Sequence, residues 1–99
     1  MKIRSSDYQI APEELTVDVD IPRYHVLLHN DDVNSMDFVT NCLMQVFGFT
    51  QEQAWAVMYE AHTKEVALCA TEPYEAAEFH RDRLIAFGLL STIEEESGS

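Results

Sequence analysis

Residues 24–32 read Tyr24-His25-Val26-Leu27-Leu28-His29-Asn30-Asp31-Asp32, and the fold turns on this stretch. Tyr24, Val26 and Leu28 alternate with His25, Leu27 and His29, the period-two pattern of a strand with at least one apolar face. Asn30, Asp31 and Asp32 then set an amide and two carboxylates where the strand ends, just ahead of a helical pattern that opens near Met36. Hydrogen-bond acceptors gathered at such a junction, beside apolar residues, suit capture of a small cation such as a free amine. His62, at the end of the next helical pattern, is placed to converge on them.

Outward from this stretch the periods stay clear. Met36, Val39, Leu43, Val46 and Phe47 recur at spacings of three and four, with Asn34 as the expected N-cap, Asp37 complementing the dipole and Gly48 as the stop. Thr50 followed by Gln53 is a capping box, and Ala54, Val57, Met58 and Ala61 form the buried stripe of the helix that follows. Val66-Ala67-Leu68-Cys69 reads as a second strand. Pro73 opens a third helix running to about Phe87, with Gly88 as its stop, and Leu89 to Ile93 supply a third strand. The order β-α-α-β-α-β implies an α+β domain: a small three-stranded antiparallel sheet with three helices packed on one face. The expected organisation is a flexible acidic N-terminal tail at 1–22, a folded domain at 23–95 and a disordered C-terminus at 96–99, with Glu94-Glu95-Glu96 read as part of a solvated, frayed end.

Composition narrows the function classes. Ninety-nine residues with 46% hydrophobic content suit one domain with a modest core. The formal charge of −12 rests on 18 acidic residues against six scattered cations, a balance that repels a phosphate backbone and excludes nucleic acid as a partner. The longest apolar runs, such as Val26-Leu27-Leu28, fall far short of the roughly 20 residues a bilayer requires. Met1-Lys2-Ile3-Arg4 has no apolar stretch behind it, so the expectation is a soluble cytoplasmic protein with no membrane partner. Cys42 and Cys69 lie in apolar patterns, as buried free thiols would.

An ammonium group carries three donors and is costly to desolvate, so it is held only where several acceptors meet it. Asn30 Oδ1, the Asp31 and Asp32 carboxylates and a neutral His62 nitrogen supply such a set. A pocket lined by Leu28, Met36, Val39, Met58 and Ala61 beside them would read the first side chain of a peptide together with its amine. Each element also has a plainer reading: Asn-Asp-Asp as turn chemistry, His62 as a dipole complement, Met36 and Met58 as core filler. Metal chemistry is the sharpest competitor. His25 and His29, four apart on a strand, stand about 13 Å apart at 3.3 Å per residue and cannot share an ion. No Gly-x-Ser-x-Gly elbow and no glycine-rich phosphate loop is present.

Taken together, residues 24–32, Met36-Asp37-Phe38-Val39, Ala61-His62 and Leu89-Leu90-Ser91-Thr92-Ile93-Glu94 resemble the ClpS family, adaptors of the Clp protease that select substrates by their N-terminal residue. The resemblance spans about Tyr24 to Glu95 and implies a monomeric, non-enzymatic protein that uses no cofactor and no metal. It implies that Asn30 and His62 hold the substrate α-amino group, with Asp31 and Asp32 completing an acidic rim. Met36 would exclude side chains branched at Cβ, and Leu28, Asn34, Val39, Met58, Ala61 and Leu89 would wall the pocket. The implied ligands are proteins beginning with Leu, Phe, Tyr or Trp. The implied receiver is the N-terminal domain of the unfoldase ClpA or ClpC, faced by Glu75 and His80, with the tail taking part in hand-over. Three positions depart from the family pattern: Glu65 for a usual Gly, Ala61 for a common Val, and Ser35 where Pro is frequent. They leave a second hypothesis open, a regulator that docks on the unfoldase and redirects it without reading N-termini.

Overall fold

The computed structural model describes residues 21–97. In it the alternating stretch forms strand β1 (Arg23–His29). Helices α1 (Met36–Phe47) and α2 (Gln51–Lys64), strand β2 (Val66–Pro73), helix α3 (Tyr74–Ala86) and strand β3 (Leu90–Glu95) follow. β1 is central in a sheet of order β2-β1-β3, and both pairings are antiparallel. This is the α+β architecture expected from the sequence. The tail expected at 1–22 lies outside the described residues except for Ile21 and Pro22, both exposed.

Alternation along β1 sorts the two faces of the sheet. Val26 and Leu28 point into the core with Ala67 and Cys69 of β2. His25 and His29 face away, where each ring hydrogen-bonds a threonine on a neighbouring strand, His25 Nδ1 with Thr71 Oγ1 at 2.9 Å and His29 Nε2 with Thr92 Oγ1 at 2.7 Å. Pairing steps from Val26↔Ala70 to Leu27↔Leu68, so Cys69 is the extra residue of a bulge. The helices cover the core face with Cys42, Leu43 and Val46 of α1, Ala54, Met58 and Ala61 of α2, and Ala77 and Leu84 of α3. Each of the larger side chains contributes roughly 1.5–3 kcal/mol by leaving water.

Both cysteines are free and buried. Burial pushes the Cys69 thiol up to about 12, with Glu60 and Glu72 adding to the effect.

Local signals set most boundaries. The capping box at α2 is present in both directions: Thr50 Oγ1 accepts from the Gln53 N–H, and Gln53 Oε1 accepts from the Thr50 N–H. α1 ends at Gly48 in the left-handed region (φ 72°), its N–H donating to the Met44 carbonyl. Four boundaries differ from expectation. Ser35, not Asn34, caps α1, its Oγ accepting from the Phe38 N–H at 3.1 Å. α2 continues past His62 to Lys64 and closes at Glu65 in a left-handed conformation (φ 76°). β2 runs on to Pro73, which ends the strand and precedes the first helical residue of α3.

The acidic end is the fourth difference. Glu94 and Glu95 belong to β3, and the Glu96 N–H donates to the Arg23 carbonyl at 2.8 Å. Arg23 Nε reaches Glu96 Oε1 at 3.2 Å, and that bond holds the Glu96 carboxyl below the usual range. Sheet pairing, which composition does not report, overrides the charge run.

Candidate functional site

Three element ends meet beyond the C-terminus of β1. The Asn30 N–H donates to the Glu65 carbonyl at 2.9 Å. That bond ties the end of β1 to the end of α2 and sets Asn30 beside the turn that carries His62. The loop of residues 30–35 is ordered by Asp31, whose Oδ1 accepts from the Val33 N–H at 2.9 Å and the Asn34 N–H at 2.8 Å. The Asn34 amide bridges the Asp31 carboxylate to the Gly88 carbonyl, at 3.1 Å from the latter. The loop is thus pinned to the turn between α3 and β3.

Between these ends lies a hollow of about 320 Å³, counting the solvent at its mouth, lined by Leu28, His29, Asn30, Asp31, Asn34, Met36, Val39, Met58, Ala61 and His62. The expected pair, Asn30 and His62, lines the same cavity, and the expected wall of Leu28, Asn34, Met36, Val39, Met58 and Ala61 is there with it. Leu28, Met58 and Ala61 are buried, while Met36, the first residue of α1, is 43% exposed at the rim.

The two aspartates differ from expectation. Asp31 lines the hollow, but its carboxylate is spent on the loop. Burial pushes this group up, yet hydrogen bonds from the Asn34 and Val33 backbone and the Asn34 side chain outweigh it and leave the carboxyl below the usual aspartate range. Asp32 is exposed and does not line the cavity. The Asn30 amide and the His62 ring are engaged by no side-chain hydrogen bond among the described residues, which leaves them available as acceptors. Leu89 is buried in the core instead of lining the hollow. His29 does line it, a neighbour that its position beside Asn30 would have suggested.

Glu75 and His80 sit on α3, no residue of which lines the hollow. Glu75 is exposed in the first turn. His80 is half-buried, its Nδ1 2.9 Å from Glu72 Oε1 and its ring 4.8 Å from that of Phe47. Among the described residues no group of three or more His, Cys, Asp or Glu is placed to hold a metal ion, and no helix is long and apolar enough to cross a membrane.

Comparison with known proteins decides the family. The model of the ATP-dependent Clp protease adaptor protein ClpS matches residues 20–92. The chain belongs to the ClpS family. It is 49% identical to the ClpS of Synechococcus elongatus over 84 residues, 84% of this chain and 88% of that protein. It is 51% identical to the ClpS of another Synechococcus strain over 76 residues, 76% and 73% of the two chains. Among solved structures, ClpS2 of Agrobacterium tumefaciens bound to L-phenylalaninamide matches with a TM-score of 0.73 and 29% identity, covering 78% of this chain and all of that one. A ClpS protein is an adaptor of the Clp protease and not an enzyme.

Proposed function

We propose that this chain is an N-degron adaptor: it holds the free α-amino group and bulky first side chain of a substrate protein and delivers that protein to a Clp unfoldase. One observation carries the reading, the convergence on one apolar hollow of Asn30 and His62, two polar side chains that no side-chain hydrogen bond engages among the described residues. The Asn30 Oδ1 and a neutral His62 nitrogen accept from the ammonium, while Leu28, Val39, Met58 and Ala61 receive the side chain. Burying a Leu or Phe there is worth roughly 1.5–3 kcal/mol, and a hydrogen bond to a charged group about 1.5–3 more. Neither term alone holds a substrate tightly, so the site reads charge and shape together. That a related ClpS2 has been solved with phenylalaninamide, an amino acid amide with a free amine, supports this.

Substrates in this reading begin with Leu, Phe, Tyr or Trp, and Met36 at the rim disfavours Val and Ile. The receiver is the N-terminal domain of ClpA or ClpC in the cytoplasm. It would be met on α3 around Glu75, on elements that do not line the hollow, so substrate and unfoldase do not compete for one surface. Residues 1–22 assist hand-over, and the adaptor acts as a monomer. The deciding measurement is fluorescence anisotropy of labelled peptides that differ only at their first residue. Peptides beginning with Phe or Leu are expected to bind, and acetylation of the amine to abolish binding. Tight unfoldase binding with no response to any N-terminal peptide would instead favour the regulator that redirects the unfoldase.

A further inference from the structure

Helix α2 carries more than the wall of the hollow. Its core residues are Ala54, Met58 and Ala61, yet two large aromatics stay outside, Trp55 47% and Tyr59 46% exposed. Their rings lie nearly parallel, centroids 4.8 Å apart and planes at 10°. Neither contributes to the buried core, and stacking them in water leaves a flat apolar face that folding does not require.

The position of the stack gives it an occupant. Tyr59 precedes His62 by three residues and Trp55 precedes Met58 by three, spacings that make each pair neighbours on the helix surface. The stack is therefore continuous with the edge of the hollow that His62 and Met58 line. From His62 back to Trp55 is seven residues, about 10.5 Å along the helix axis at 1.5 Å per residue. Three residues of extended peptide span about 10 Å. A polypeptide leaving the hollow across α2 thus lays its second to fourth residues over Tyr59 and Trp55.

Charge settles which side chains suit it. Glu52 is exposed one turn before Trp55, Asp32 is exposed at the loop beside the hollow, and the whole chain carries −12. An open indole or phenol face in acidic surroundings attracts a guanidinium or ammonium, through the ring quadrupole and the field alike.

We infer that Trp55 and Tyr59 form a second subsite that takes the residues following the first of a bound polypeptide and favours Arg or Lys there. This rests on the proposed first-residue reading of the hollow and extends it. Trp55 is the only tryptophan in the chain, so its intrinsic emission reports on the subsite directly. The full chain is titrated with phenylalaninamide, which fills the hollow alone, and with the peptides Phe-Arg-Arg-Ala, Phe-Ala-Ala-Ala and Phe-Glu-Glu-Ala, every affinity being read by calorimetry, which needs no tryptophan.

The expected result is that Phe-Arg-Arg-Ala alters Trp55 emission and phenylalaninamide does not. Phe-Arg-Arg-Ala should also bind about two- to fivefold tighter than Phe-Ala-Ala-Ala. Trp55→Ala should collapse that ratio and leave phenylalaninamide affinity unchanged, which also certifies that the variant is folded. A ratio that survives in both Trp55→Ala and Tyr59→Ala would overturn the subsite and assign the preference to the general acidic field. Acetylation separates the two readings. If every peptide binds equally with its amine blocked, the first-residue reading falls and the subsite with it; if binding stays amine-dependent with a Trp55-independent ratio, the subsite alone falls.

Discussion

Helices α1 and α2 both close on a residue of positive φ, Gly48 at 72° and Glu65 at 76°, but with opposite chemistry. Glycine adopts this left-handed region freely. A residue with a Cβ is held there at a cost of roughly 1–2 kcal/mol. The glycine closes α1, its N–H donating to the Met44 carbonyl. The glutamate closes the helix that carries His62, and its carbonyl receives the Asn30 N–H. Strain of this kind persists only where surrounding contacts hold it, and it gathers at functional sites. The difference places the strained closure beside the hollow and the relaxed one away from it.

The largest effect should come from the groups that the Glu65 turn positions. Asn30→Ala and His62→Ala are each expected to weaken a Phe-initiated peptide more than tenfold, about 1.4 kcal/mol or above, with little change in thermal stability. Calorimetric titration alongside a melting curve checks both halves, and a loss of stability equal to the loss of binding would make these residues structural.

Asp31→Ala comes next, because it removes the acceptor that orders residues 31–34. A cost of about 1–2 kcal/mol of stability is expected, read by urea denaturation. The carboxyl sits below its usual range in the folded chain. Its contribution is therefore complete above the ordinary aspartate range and fades as acid takes the pH down through the lowered folded value. The gap between wild type and variant should close in strong acid. A gap that widened there would reverse the assignment.

Gly48→Ala meets open space, so its whole cost is backbone, about 1 kcal/mol, with peptide affinity untouched. Glu65→Gly is the smallest change and the one that tests the comparison itself. Relief of the left-handed Cβ should raise stability by roughly 0.5–1 kcal/mol after the extra unfolded-state freedom of glycine is counted. Destabilisation by Glu65→Gly would mean that the glutamate side chain gives more than its backbone costs.

How far the sequence could be read depended on how local each signal was. The capping box at Thr50 and Gln53, the Gly48 stop and the alternation in β1 are written within a few residues, and all appear as expected. Features set by partners far along the chain were harder to see. The Glu96 backbone and side chain are held by Arg23, 73 residues away, so a run that looked solvated continues the sheet. Ala70 to Pro73 lack alternation yet pair with Arg23 to Val26.

The site divides in the same way. The resemblance to ClpS named Asn30, His62 and the apolar wall, and these do gather around one hollow. Two facts lay beyond it, the spending of the Asp31 carboxylate on the loop and the burial of Leu89 in the core. Both depend on which way a side chain turns once three element ends have met.

The sheet has a further consequence at its margin. β3 is an outer strand, and an outer strand offers unpaired N–H and C=O groups to any chain that comes alongside. Here Glu94 and Glu95 lie on that margin, with Glu96 immediately beyond. A second copy laid parallel and in register along this margin would confront carboxylate with carboxylate. For a molecule whose proposed task is to carry half-exposed hydrophobic chain ends, an edge that shuns its own kind keeps cargo from seeding aggregates.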